Sequence, residues 1–211
     1  MARIVLLGTG MYAEELIDLA AAIPDVEVVA CCENLDRDRV GGQVAGVPIV
    51  WVDDLPALTD VAAVSAITTT ARDGYIRQVQ ALKVPFGRLV HPSAVVAPSA
   101  VLSDGVVVQA GVIIGARTEI GAHTMINRGA LIGHHARLGE LVTVQPGANI
   151  GGATVIGARA YIAMGATVLD RRRVGEGALV GAGSLVTRDV EAHVQVMGVP
   201  ARVVRSGVTG R

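Results

Sequence analysis

Aromatic side chains are almost missing from this chain: they make up 2% of its 211 residues, with one Trp and one Phe. Sandwiches and barrels draw much of their buried area from aromatic residues, so neither architecture suits this composition. Cysteine is scarce too, and its two copies, Cys31 and Cys32, are adjacent in an apolar run. Adjacent positions fit neither a disulfide framework nor a zinc site, and the pair is expected to be buried, reduced thiols of a cytoplasmic protein. Excess charge of one sign is also lacking. The 18 Lys and Arg against 19 Asp and Glu leave a formal net charge of −1, with no tail or basic patch to attract nucleic acid. No long apolar run is present either. The opening "IVLLG" is too short for a signal-peptide core and is followed by the acidic "EELID", so neither a targeting segment nor a membrane span is expected.

What the chain does contain is aliphatic: 51% hydrophobic residues against 18% charged, with 26 Gly. Its core must be Val, Ile, Leu and Ala packed in a small-residue framework. The patterning changes near residue 85, which divides the chain into an expected domain over 1–85 and another over 86–211.

Residues 3 to 83 alternate β-branched runs with helical stretches: "RIVLLG", "MYAEELIDLAAAI", "VEVVACC", then "VAAVSAI" and "RDGYIRQVQAL". Such alternation predicts a small α/β, Rossmann-like unit with a parallel sheet. Within it "GTGMYA" (Gly8 to Ala13) follows a strand and opens a helix, and Glu33 lies twenty positions beyond Ala13. This satisfies the relaxed G-x-G-x-x-G/A pattern, in which glycine lets a ligand approach the backbone and the helix N-terminus attracts phosphate. Only one such unit fits before the composition changes, so a mononucleotide-like site is a better reading than a dinucleotide one. A bare strand-to-helix turn is the bland alternative.

From residue 96 a different rule holds. Every sixth residue from Val96, Leu102, Val108 and Ile114 through to Val186 is aliphatic, sixteen in unbroken frame, and four places after each stands Ala, Ser, Thr or Val, except at Arg172. A sixfold period matches neither a helix nor a strand, so the chain must turn a corner once per hexad. Three corners close a coil of eighteen residues, and coils stack at about 4.8 Å by parallel strand pairing with the aliphatic and small positions inward. Arg172 implies a locally distorted corner. Gln109, Asn127 and Gln145, eighteen apart, are expected to stack as an amide ladder.

These hexads, with "LVHPSAVVAPSAVL", "INRGALIGHHARLGE", "QPGANIGG", "VGAGSLVTRDV" and "VMGVPARVV", resemble the hexapeptide-repeat acyltransferases of the sialic-acid O-acetyltransferase and UDP-4-amino-sugar N-acetyltransferase type. The resemblance covers nearly the whole chain. It implies an all-β, left-handed parallel β-helix, a handedness that general crossover rules would not give. It also implies acetyl-CoA as co-substrate, a small-molecule sugar acceptor, no metal, no nucleic-acid or membrane partner, and homotrimers with active sites between subunits.

Hexad register puts Ile132 and Ala136 inward, leaving Gly133, His134 and His135 as a corner outside the coil's interior. One coil away from His134 lie Ala116 and Gly152, which leave room for a ligand, and beside His135 lie Arg117 and Ala153. An imidazole on such a ledge suits a general base for direct acyl transfer to an amine or hydroxyl. The resemblance likewise places the family's catalytic histidine at His134, with His135 where relatives carry a carboxylate and Asn127 matching the family's "IN" dipeptide near the catalytic corner. It selects Thr143, Met164 and Ala182 for acetyl-CoA, although relatives often have histidine at the position of Thr143. Gly8 belongs to the glycine-rich turn, Gly10, Met11 and Tyr12 align with the family's nucleotide-sugar segment, and Glu33 and Asn34 with its acidic pair. "DRRRV", beginning at Asp170, concentrates cations that suit coenzyme A phosphates or a solvated surface.

Three other readings are open. A γ-class carbonic anhydrase shares the β-helix, but His123 and His135, twelve residues apart, fall on different corners. A non-catalytic sugar-nucleotide scaffold would lack acetyl-CoA affinity. A dinucleotide-dependent reductase would bind NAD(P).

Overall fold

Each hexad from Val96 onward supplies one two-residue strand in the computed structural model, which describes residues 1–211. Every strand pairs in parallel with the strand eighteen residues further on: Ile113 with Leu131, Glu119 with Arg137, Met125 with Thr143. Three parallel sheets result, one for each face of the coil, and this arrangement fits a left-handed β-helix. The second residue of each strand points inward, so Ile114, Ile120, Ile126, Ile132, Leu138 and Val144 are buried. Burying each aliphatic side chain contributes roughly 1.5–3 kcal/mol, repeated along the column. Interior hydroxyls are satisfied locally: Thr118 Oγ1 donates to the Gly133 carbonyl at 2.9 Å and Thr124 Oγ1 to that of Gly139 at 2.9 Å.

Corners are two-residue turns whose second residue adopts a left-handed backbone, with φ of 56° at Arg117, 57° at His135 and 54° at Ala153. The glycine that often follows the inward aliphatic has a steric reason. A Cβ on Gly133 would lie 2.5 Å from the Gly152 nitrogen of the next coil.

Arg172 does not distort its corner. Its carbonyl accepts from Val155 N at 2.9 Å, and Arg173 pairs with Val155 in regular register. The side chain turns back, its Nε donating to the Asp170 carbonyl at 3.1 Å, so the charge leaves the small interior position without moving the backbone. At a corner position expected to carry a stacked amide, Asn127 is buried and its Nδ2 donates to the Val144 carbonyl at 2.9 Å. At the C-terminal end Val194–Gly198 adds in parallel to Leu179–Val180 and forms an antiparallel hairpin with Ala201–Ser206.

The chain separates into two compact units, Met1–His91 and Pro92–Arg211. The first contains β1 (Ala2–Leu7), α1 (Met11–Ala21), β2 (Val26–Glu33), β3 (Gln43–Val44), β4 (Val47–Trp51), β5 (Val61–Ser65) and α2 (Arg72–Ala81). Its sheet has the order β3-β4-β2-β1-β5, parallel except where β3 meets β4. Helix α1 buries Ala13, Leu16, Leu19 and Ala20. Cys31 and Cys32 are buried and free; burial pushes their thiols up to about 11 and about 12, which keeps them protonated. No helix is long and apolar enough to cross a membrane.

Candidate active site

Strand Leu131–Ile132 ends in the corner that carries His134 and His135, and both imidazoles are exposed while Ile132 and Ala136 are buried. The His135 nitrogen donates to the Ala116 carbonyl of the preceding coil at 2.8 Å, which fixes the corner's backbone. The two rings meet edge to face, with centroids 5.2 Å apart and planes at 88°, and their Nδ1 atoms are 3.0 Å apart. The other edge of the His134 ring lies in a notch formed by the next coil. A Cβ on Gly152 would stand 2.8 Å from His134 Nε2 and 2.9 Å from Cε1, so the absence of a side chain there is what admits the ring. Nδ1 of His134 thus faces His135 while Nε2 faces the small Gly152 corner of the next coil, and the ring as a whole is exposed.

The remaining positions expected at this site are spread over other parts of the coil. Asn127 is turned inward toward Val144, on the corner before the histidines. Thr143 is 1% exposed, whereas Met164 and Ala182 are exposed and stacked one coil apart on a different corner from His134. Within one chain these residues do not line the histidine ledge. Arg171 has its Nε 3.9 Å from Asp170, both on the surface.

A second concave region lies in the first unit, outside the carboxyl ends of β1, β2 and β5, where open α/β sheets place their ligands. This cleft, about 390 Å³, is lined by Gly8, Gly10, Met11, Tyr12, Glu33 and Asn34, which the glycine-rich spacing and the family resemblance together had grouped, and also by Thr9, Arg39 and Tyr75, which neither had. Glu33 is largely committed to its own loop. Its Oε2 accepts from Thr9 Oγ1 at 2.5 Å, and its Oε1 accepts from the backbone nitrogens of Asn34 and Leu35, both at 2.9 Å. Arg39 closes the network, donating to the Thr9 carbonyl at 2.7 Å and standing 3.7 Å from Glu33. No sequence spacing could find Arg39, because it sits on a short turn, Arg37–Arg39, outside the strand-helix alternation.

Burial alone would raise the Glu33 carboxyl, but the bonds from Thr9, Leu35, Asn34 and Asp36 favour the charged form and hold it below its ordinary 4.5. A lowered folded value means stability that is fully present above that ordinary value and is lost as pH falls through the folded one. Glu33→Gln is thus expected to cost about 1–3 kcal/mol at neutral pH, with a smaller deficit near about pH 3. Urea denaturation at both pH values checks this, and equal deficits would contradict it.

Comparison with known proteins gives this geometry a family. The chain is similar to a perosamine N-acetyltransferase from Caulobacter crescentus, seen with CoA and GDP-perosamine, at 33% identity over 98% of both chains and a TM-score of 0.89. That structure and a second one carry a substituted histidine, asparagine in one and alanine in the other. The chain belongs to the hexapeptide-repeat acetyltransferases of the sugar N-acetyltransferase type. It is also similar to the acetyltransferase domain of PglB from Neisseria gonorrhoeae, seen with acetyl coenzyme A, at 27% identity over 96% of this chain and 99% of that one, with a TM-score of 0.86. WeeI from Acinetobacter baumannii, at 22% identity over 95% of this chain and 99% of that one, has a TM-score of 0.79 and shares the fold. No protein-family model and no curated protein matches the chain.

As a member of this family the chain is an acetyltransferase that takes acetyl-CoA as co-substrate. No group of three or more His, Cys, Asp or Glu lies together in a way that could hold a metal ion.

Proposed function

We propose that this acetyltransferase N-acetylates an amino sugar carried on a nucleotide, with His134 as the general base. The observation that carries the reading is the His134 ring in the Gly152 notch, with Nδ1 taken by a neighbour and Nε2 free at an exposed corner. The acceptor nitrogen bonds to the thioester carbonyl carbon as its proton passes to Nε2. The C–S bond breaks, and the same proton leaves with the sulfur, so His134 ends neutral. Asn127, held to Val144, braces the coil edge just before this corner. The nucleotide is assigned to the Rossmann-like first domain, where Gly8, Gly10, Met11, Tyr12, Glu33 and Asn34 surround the cleft. The relative seen with CoA and GDP-perosamine supports a nucleotide-linked amino sugar as the acceptor class.

Trimerisation accounts for the scatter of the remaining residues. Val95, Ile113 and Leu131 stack on one face with exposures of 61%, 47% and 40%, an apolar column that a second copy would cover. In such an assembly the exposed Met164 and Ala182 of one subunit serve acetyl-CoA beside the His134 of another, while Thr143, buried in its own chain, supports the coil rather than touching the cofactor.

The test is thiol release from acetyl-CoA against a panel of GDP- and UDP-linked sugars. Amino-sugar nucleotides are expected to release thiol, and their hydroxyl counterparts and free amino sugars to be at least about 100-fold poorer in kcat/KM. Release with no amino-sugar nucleotide, despite bound acetyl-CoA, would overturn the proposal. Loss of acetyl-CoA binding as well would favour a sugar-nucleotide scaffold.

A further inference from the structure

We infer that His135 is a positioning residue for the transfer: through the Nδ1–Nδ1 contact it holds His134 in the tautomer whose Nε2 bears the lone pair, and it does so only while His135 is itself neutral. The inference rests on His134 being the base.

Two ring nitrogens 3.0 Å apart form a hydrogen bond only when one of them carries a hydrogen. A neutral imidazole has one hydrogen to place on either of two nitrogens. If His134 keeps it on Nδ1 and donates to His135 Nδ1, its Nε2 is free to take a proton. Were His135 to donate instead, the hydrogen of His134 would have to sit on Nε2 and the base would be lost. A doubly protonated His135 can only donate, so its protonation imposes the unproductive arrangement. Both rings protonated would set one N–H against another. A carboxylate in this place could only accept and would not impose the unproductive tautomer; an imidazole accepts only in one of its protonation states.

The backbone keeps the pair in register. His135 occupies the second turn position with φ of 57°, its nitrogen bonded to Ala116 O at 2.8 Å. The equivalent positions on the coils before and after are Arg117 and Ala153. Arg137, two residues on, lies 3.7 Å from Glu119, and the next charges along the same corner, Asp170 and Arg171, are two coils from His135. Protons balance without any transfer between the rings. The acceptor's proton enters at Nε2 and leaves with the sulfur, while the Nδ1 hydrogen of His134 stays where it is and His135 accepts throughout.

The experiment compares the full-length protein with His135→Ala, His135→Asp and His134→Ala. It measures kcat and KM for both substrates across the titration range of imidazole, and the nitrogen NMR shifts of the resting rings. Alanine fits the turn, since Ala153 holds the same conformation one coil later with φ of 54°. His135→Ala is expected to lower kcat about tenfold with both KM values unchanged, and to move His134 from the Nδ1–H form toward a tautomer mixture. His135→Asp, an acceptor that tolerates left-handed backbone, is expected to recover kcat. Like the native pair, it is expected to lose activity on acidification with uptake of a single proton, since one proton on the base is enough to remove it. Unchanged kcat and nitrogen shifts in His135→Ala would overturn the inference while leaving the base assignment standing. An active His134→Ala would instead remove the base assignment, a result distinguishable from the first.

Discussion

His134→Ala is expected to lower kcat by about 10²–10⁴-fold while leaving KM for both substrates near native values. The ring is exposed, contributes nothing to the buried column, and ends in the Gly152 notch rather than in a packed contact. Its removal should therefore change stability by no more than about 0.5 kcal/mol. Sedimentation should return the same mass as the unsubstituted protein, because the apolar column of Val95, Ile113 and Leu131 lies on strands rather than on the corner. With binding and assembly intact, the loss is confined to the proton transfer that accompanies attack on the thioester. A variant retaining kcat within about tenfold would show that another group accepts this proton.

Gly152→Ala is expected to lower kcat by about 100-fold although it adds a single methyl to a surface corner. The backbone at 152 is not left-handed, so alanine meets no conformational barrier there, and fewer unfolded conformers should offset part of any packing cost. The added Cβ would instead meet His134 Nε2 at 2.8 Å, Cε1 at 2.9 Å and Cδ2 at 3.3 Å. Because these atoms are the far end of a rotatable side chain, the ring swings away and the fold holds. A displacement of about 1 Å at a reacting atom is enough for the expected loss. Combined with His134→Ala, the substitution should cost nothing further, since both act on one ring. Native kcat in Gly152→Ala with an unchanged melting temperature would show that the base does not use this notch.

The sequence made the β-helix legible because its aliphatic positions recur in one frame without insertion, and the strands end on those residues from Val96 to Val186. The same count of eighteen placed Gly152 beside His134, and the structure puts a would-be Cβ of one against the ring of the other. Where the period stops, prediction stopped with it. The β3–β4 ribbon and the hairpin of Val194–Gly198 with Ala201–Ser206 belong to neither the hexad rule nor the strand-helix alternation. Side-chain direction was the other gap. Period and spacing put His134 next to His135 but do not say that their Nδ1 atoms face each other, which depends on rotamers. Nor do they say that Glu33 turns toward Thr9 and its own loop, or that Arg172 folds back to a carbonyl.

Each coil copies the phase of the one before it, as the pairing of Val95 with Ile113 and of Ile113 with Leu131 shows. Length in this domain is therefore modular. Excising one whole coil below His134 would shorten the column yet return every later residue to its own side, like a ring taken from a stack. Excising a third as much would rotate everything above the cut onto the adjacent side and carry the imidazole pair away from any groove shared with a neighbouring subunit. Evolution or design can thus lengthen this column only in whole coils without moving the histidine pair to another side.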